Sequence, residues 1–126
     1  MNVPKDNWRI DPRQTAVVVI DLQRTWLEAG SPRELAQTRG LVPKINELTD
    51  ICRKLGIPII LVRTIVRPDQ SDIGLLKDFR LELDSEWWYH EGKKGAEFYN
   101  GLDIKEGDYE VKKIRYSAFI PGSSSL

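Results

Sequence analysis

TAVVVIDLQRTW, Thr15 to Trp26, is the stretch whose reading decides the fold. Five apolar residues, Ala16 to Ile20, run without a polar break and end on Asp21. Three Val and one Ile are β-branched and suit a strand. A continuous apolar run suits a strand buried on both faces, as in a parallel sheet. Asp21 then falls at the carboxyl end of that strand, the edge of an open α/β sheet where ligands bind. The same position also suits an Asp that opens a loop or caps a helix. Trp26, five residues on, either walls a pocket or plugs the core.

Working outward, residues 21–40 read as a loop, broken by Gly30, Ser31-Pro32 and Gly40. LVPKINELTDICRKL, residues 41–55, reads as an amphipathic helix. Leu41, Val42, Ile45, Leu48, Ile51, Cys52 and Leu55 form one stripe of period near 3.6. Pro43 fits the first turn and Gly56 the C′ position. IPIILVR, residues 57–63, is a second continuous apolar strand, so strand, helix and strand make a right-handed βαβ unit. The loop at 64–73 leaves the same carboxyl edge as Asp21, and residues 74–83 suit a short helix. Residues 84–100 hold Trp87, Trp88, Tyr89, His90, Phe98 and Tyr99, a density that suits a pocket lining, a subunit interface or a core plug. Tyr109 to about Ile114 reads as a third strand. Its adjacent Lys112 and Lys113 face opposite sides, so only one can face a given pocket. On the other side of the opening stretch, residues 1–14 read as an irregular arm docked by Trp8 and Ile10.

Composition narrows the function classes. The 126 residues suffice for one domain with a core. Nineteen basic and nineteen acidic residues leave no electrostatic case for nucleic acid or an anionic membrane. No apolar run approaches the roughly 18 residues of a membrane span, and the first residues show no secretory h-region. A single Cys excludes an internal disulfide and fits a reducing compartment, so the cytoplasm is the expected location. With one His and one Cys, a Cys/His zinc site is not available within one chain. Cys52 lies in the helical stripe, where a Cys is a small buried hydrophobe rather than a nucleophile.

VVVIDLQ, GIPIILVRT and GDYEVKKIRYSAFIPGSS, in this order and spacing, closely resemble the isochorismatase-like cysteine hydrolases, and lean towards their ureide and N-carbamoyl amidohydrolase branch. The resemblance runs from about Ile10 to Leu126 and corresponds to the N-terminal two-thirds of the family's domain. It implies a three-layer α/β/α fold, Rossmann-like, truncated to the 3-2-1 half of a parallel sheet of order 3-2-1-4-5-6. It implies cleavage of a C–N bond in a small amide or ureide by an Asp–Lys–Cys triad. Asp21 matches the family's Asp, with Gln23 in its D-[LM]-Q context. Lys113 matches the Lys of K-x-R-Y-S-[AG]-F and is thereby selected over Lys112. Trp26 falls on the aromatic pocket wall, and Tyr116 on a Tyr that faces substrate in ureido-type members. The substrate-binding set implied is therefore Gln23, Trp26 and Tyr116. Arg67, or Arg63 at the strand end, either meets a substrate carboxylate or carbonyl or is a surface arginine. No cofactor or metal is expected, because the loop Thr64-Ile65-Val66-Arg67-Pro68 lacks the Asp-x-His pattern of nicotinamidases.

The sequence departs from the family at its end. The family's nucleophilic Cys lies about 30 to 40 residues beyond the Lys, and 13 residues follow Lys113 here. Residues 1–126 are therefore expected to form a single domain whose nucleophile-bearing part is absent, inactive alone by the family mechanism. The first strand would expose an apolar edge, which favours association, and a homo-oligomer is expected. The competing expectations are a non-catalytic domain that binds a small amide or a partner at Asp21, and a plain structural α/β domain.

Overall fold

The computed structural model describes residues 9–79 and 84–123. Three parallel strands, β1 (Val17–Ile20), β2 (Ile59–Thr64) and β3 (Tyr109–Lys113), lie side by side in the order β1-β2-β3. This is the expected α/β arrangement, the 3-2-1 order read from the other side. Register pairs Ile20 with Val62 and Thr64 with Lys113, so all three strands finish at one edge.

Helix α3 (Val42–Lys54) lies between β1 and β2 in the chain and covers one face of the sheet. Val17, Val19, Ile59 and Leu61 point to it and meet Val42, Ile45 and Cys52. Cys52 is buried there, as its place in the stripe predicts. The buried stripe is nonetheless narrower than the apolar one. Leu41, Leu48, Ile51 and Leu55 are about half exposed, whereas the polar Thr49 is buried at 1% exposure. Thr49 is admitted because its hydroxyl donates to the Asn46 carbonyl at 3.1 Å and accepts from Arg53 at 3.3 Å. Arg53 in turn holds Asp108 bidentately, at 2.9 and 2.6 Å, and fastens the helix to the turn before β3. Burial pushes the Asp108 carboxyl up, but the Arg53 guanidinium and the Lys105 N–H outweigh it and hold it below its ordinary range. Gly56 takes the left-handed φ of 73° that a C′ residue needs.

Three local expectations need correction. The stretch at 21–40 is not all loop: it holds two single-turn helices, α1 (Arg24–Leu27) and α2 (Ala36–Arg39). Four residues are too few to show a helical period, so the breakers dominated the reading. The segment at 74–83 is a 3-10 turn over Gly74–Phe79, and its last four residues lie outside the described range. Ile10 does not dock the N-terminal arm, being 74% exposed, and Trp8 lies outside the described residues.

The sheet face away from α3 carries Val18, Ile20, Ile60, Val62 and Val111. Among the described residues no helix covers it. The segment Tyr116–Ser123 borders it, yet Val18 and Ile20 stay 51% and 57% exposed.

Candidate active site

The site forms where the three strands end. Asp21 leaves β1 with φ at 58°, a left-handed conformation that Asp tolerates better than β-branched residues. Its N–H donates to the Val62 carbonyl at 2.8 Å, and its own carbonyl accepts from Gln23 at 2.8 Å. This sharp exit turns the carboxylate towards the ends of β2 and β3. There the Lys113 ammonium meets Asp21 Oδ2 at 3.0 Å. Lys113 Nζ also donates to Thr64 Oγ1 at 2.8 Å and to the Arg115 carbonyl at 3.3 Å. The Thr64 hydroxyl in turn donates to Asp21 Oδ1 at 3.1 Å. An ammonium has three donors, and here each has its acceptor, which fixes a side chain that is almost wholly buried. Lys112, one residue earlier on the opposite side of β3, reaches Glu91 at 3.4 Å instead.

A cavity of about 260 Å³ opens over this trio. Asp21, Thr64 and Lys113 form its polar edge; Trp26, Trp88 and Tyr89 form an aromatic wall. Tyr89 packs on both tryptophans, with ring centroids 6.1 Å and 5.0 Å apart. Trp26 comes from α1 (Arg24–Leu27), and Trp88 and Tyr89 from the loop after residue 84, which crosses its own chain at Gly95. A Cβ there would sit 2.0 Å from the Trp87 carbonyl oxygen, so only glycine fits. Tyr116 also lines the cavity, at its mouth, being 84% exposed.

The structure therefore brings Asp21, Lys113, Trp26 and Tyr116 to one cavity, and it corrects the reading of Gln23. Expected to bind substrate, Gln23 is fully buried and does not line the cavity. Its Nε2 donates to the carbonyls of Thr64 at 2.8 Å and Ala96 at 3.0 Å, and its Oε1 accepts from Thr64 N–H at 2.8 Å. These are peptide groups at the end of β2 and in the aromatic loop that the buried amide satisfies, the Ala96 carbonyl also accepting from Arg63 Nη1 at 3.1 Å.

The arginines are also not those expected. Arg63 points to the α3 side, paired with Glu110 at 2.8 Å and lying 5.2 Å over Phe98, and Arg67 is exposed outside the cavity. Arg33 and Arg115 line the cavity instead. His90 is buried; desolvation and the nearby Lys93 hold its imidazole below its ordinary pKa. Thr64, absent from the sequence-based set, is the member that connects Asp21 to Lys113. Its register opposite Lys113 at the end of β2 was the available signal.

This geometry fits a carboxylate that accepts a proton beside an ammonium that steadies negative charge, at the mouth of a small, mostly apolar cavity. The Isochorismatase domain model matches residues 15–125. The chain belongs to the isochorismatase family. Among relatives, it is 31% identical over 108 residues to an Arabidopsis thaliana protein described as a probable inactive nicotinamidase, covering 85% of this chain and 55% of that one. It is 28% identical over 132 residues to ureidoacrylate amidohydrolase RutB of Pseudomonas syringae pv. syringae, covering 91% and 54%. A crystal structure of a cysteine hydrolase from Pseudomonas syringae pv. phaseolicola superposes with a TM-score of 0.82 at 29% identity, over 98% of this chain and 56% of that one. The chain thus spans about half the length of the relatives it matches. No helix among the described residues is long and apolar enough to cross a membrane.

Proposed function

We propose that residues 1–126 form the substrate-holding and proton-handling part of a cysteine hydrolase acting on a C–N bond of a small amide, ureide or N-carbamoyl compound. The observation that carries this reading is the Lys113–Asp21 pair, 3.0 Å apart, at the polar edge of an aromatic-walled cavity. Asp21 acts as the general base and Lys113 as the stabilising ammonium; Trp26 and Tyr116 meet the substrate. Cys52 does not serve, being buried on α3 against the sheet face that α3 covers. The nucleophilic Cys is placed outside these residues, in the remainder of the domain.

The chemistry follows from the residue types. Asp21 takes the thiol proton, because only a thiolate attacks efficiently. The thiolate sulfur bonds to the carbonyl carbon, and the Lys113 ammonium stabilises the developing charge. Collapse breaks the C–N bond and the leaving amine takes the proton from Asp21. Water then gives a proton to Asp21 and its hydroxyl to the thioester, releasing acid or carbamate and regenerating the thiol.

Ammonia release by the natural gene product that contains this chain tests the reading. Asp21→Asn and Lys113→Ala should each lower turnover about 10²-fold or more with an unchanged circular dichroism spectrum. Turnover that survives Lys113→Ala refutes the assignment. A second reading, a domain that binds a small amide without cleaving it, is favoured by the relative described as a probable inactive nicotinamidase. It predicts ligand binding sensitive to the same substitutions, with no ammonia formed.

A further inference from the structure

Two arginines line the cavity, and they belong to different parts of its wall. Arg33 Cζ lies 4.5 Å over the Trp88 ring, 5.6 Å over Trp26 and 5.8 Å over Tyr89, on the aromatic part. Arg115 stands beside an apolar part made of Ile73 and Leu76, from the segment after β2. Ile73 is 2% exposed and packs with Val66 and Trp88 in a small core of its own, with Leu76 against it. The turn that carries Ile73 closes on itself. The Asp72 carboxylate accepts from the Arg67 N–H at 3.0 and 3.1 Å, and the Ile73 N–H donates to the Gln70 carbonyl at 3.2 Å. These bonds shape the turn without tying it to the sheet. Arg115, two residues beyond β3, supplies such a tie: its Nη1 donates to the Asp72 carbonyl and to the Ile114 carbonyl, the latter at 2.9 Å. At Gly74 a Cβ would stand 3.0 Å from Arg115 Nη2, so the bare main chain there leaves room for the guanidinium. The Arg115 carbonyl meanwhile accepts from Lys113 Nζ at 3.3 Å. One residue thus meets the ammonium with its main chain and the apolar wall with its side chain. A guanidinium suits the task, because its bonds to carbonyls are charge-assisted and its planar fork holds a fixed direction.

We propose that Arg115 is a positioning residue: it fastens residues 67–79 to the end of β3, so that Ile73 and Leu76 stand as a wall of the cavity. The fastened wall serves ligand binding rather than proton transfer, because Ile73 and Leu76 offer apolar contact alone. Such contact is the same before and during reaction, so it sets affinity and not the rate of the chemical step. The consequence for turnover rests on the hydrolase site proposed above; the fastening itself does not.

Amide hydrogen exchange and steady-state kinetics on the natural gene product that contains this chain test the role. In the wild type the amides of Gln70 and Ile73 should be protected, since both are hydrogen-bonded within a fastened turn. Arg115→Met should speed exchange across residues 67–79 about tenfold or more and leave α3 unchanged, because it removes charge-assisted bonds at one place. Arg115→Lys keeps the charge and a donor but not the planar fork, and should recover part of the protection. With N-carbamoylglycine as the probe for ammonia release, Arg115→Met should raise KM about tenfold and leave kcat within about threefold. Free exchange at Gln70 and Ile73 in the wild type overturns the fastening role, and decides even if the variants fail to fold. Exchange in 67–79 that Arg115→Met leaves unchanged overturns it too. So does a kcat loss like that of Asp21→Asn with KM unchanged, which would place Arg115 in the chemistry. No ammonia from the wild type bears on the hydrolase reading and not on Arg115, which exchange decides.

Discussion

The two faces of the sheet are built from the same three strands, and their neighbouring residues live in opposite surroundings. Val19, Ile59 and Leu61 face α3 at 7%, 1% and 2% exposure, while Val18 and Ile20, their strand neighbours, are more than half exposed on the other side. The closed face is locked by polar ties as well as by packing: Arg53 to Asp108, and Asn46 to the backbone of Gly101 and Asp103 at 2.8 and 2.9 Å. The open face has apolar residues and a border segment whose Phe119 is 99% exposed. The candidate cavity lies where the two regimes meet, and Lys113 borders both it and the open face. The polar ties therefore gather on one side of the sheet, and the candidate site lies on the rim.

The largest expected effect breaks the closed face. Ile59→Ala should cost about 2–5 kcal/mol in urea denaturation, because it leaves a cavity in a packed core. Gln23→Leu comes next, at about 3 kcal/mol. It strands the buried N–H of Thr64 and weakens the tie to the Ala96 carbonyl, and hydrogen exchange at the Thr64 amide should quicken with it. Thr64→Val keeps the shape but removes the hydroxyl between Asp21 and Lys113. We expect a loss of about 1 kcal/mol with disproportionately weaker ligand binding, and recovery of binding in Thr64→Ser.

Acid provides a gentler probe of the closed face. The Asp108 carboxyl is held below its ordinary value in the folded chain, so the unfolded chain binds the proton more readily. Its contribution is fully present above the ordinary carboxyl range, near pH 4, and is lost as pH falls through the folded-state value. Asp108→Asn should flatten that part of the stability–pH curve. The smallest effect belongs to the open face: Ile20→Thr should change stability by less than about 0.5 kcal/mol. A loss matching that of Ile59→Ala would show that association covers this face in solution, and sedimentation at several concentrations would confirm it.

The contrast also explains what could be read in advance. An unbroken apolar run marks a strand whose two faces are both apolar, and VVVI is that; it carries no information on what covers each face. Lys113 was separable from Lys112 because strand side chains alternate and because the Lys motif carried the family resemblance. Asp21 was placed by the carboxyl-edge rule. Arg33 and Thr64 escaped because their meaning comes from contacts distant in sequence: Arg33 with rings up to 56 residues away, Thr64 with a lysine 49 residues on. Gln23 departs from what the resemblance implies, because burial turns its amide to the main chain instead of to a substrate. The helical stripe was read too wide because apolar residues at the flank of α3 look the same in sequence as those at its centre.

Gln23 has one more consequence. Its amide joins the end of β2 to the carbonyl of Ala96, and Gly95, next door, is pressed against Trp87. The loop that carries Trp88 and Tyr89 and the Asp21–Lys113 edge thus meet at this amide, beside the main-chain bonds of Val66 with Tyr89 and Glu91. Their relative position is held through main-chain groups, so side chains of the loop that face the cavity can differ without loosening that seat.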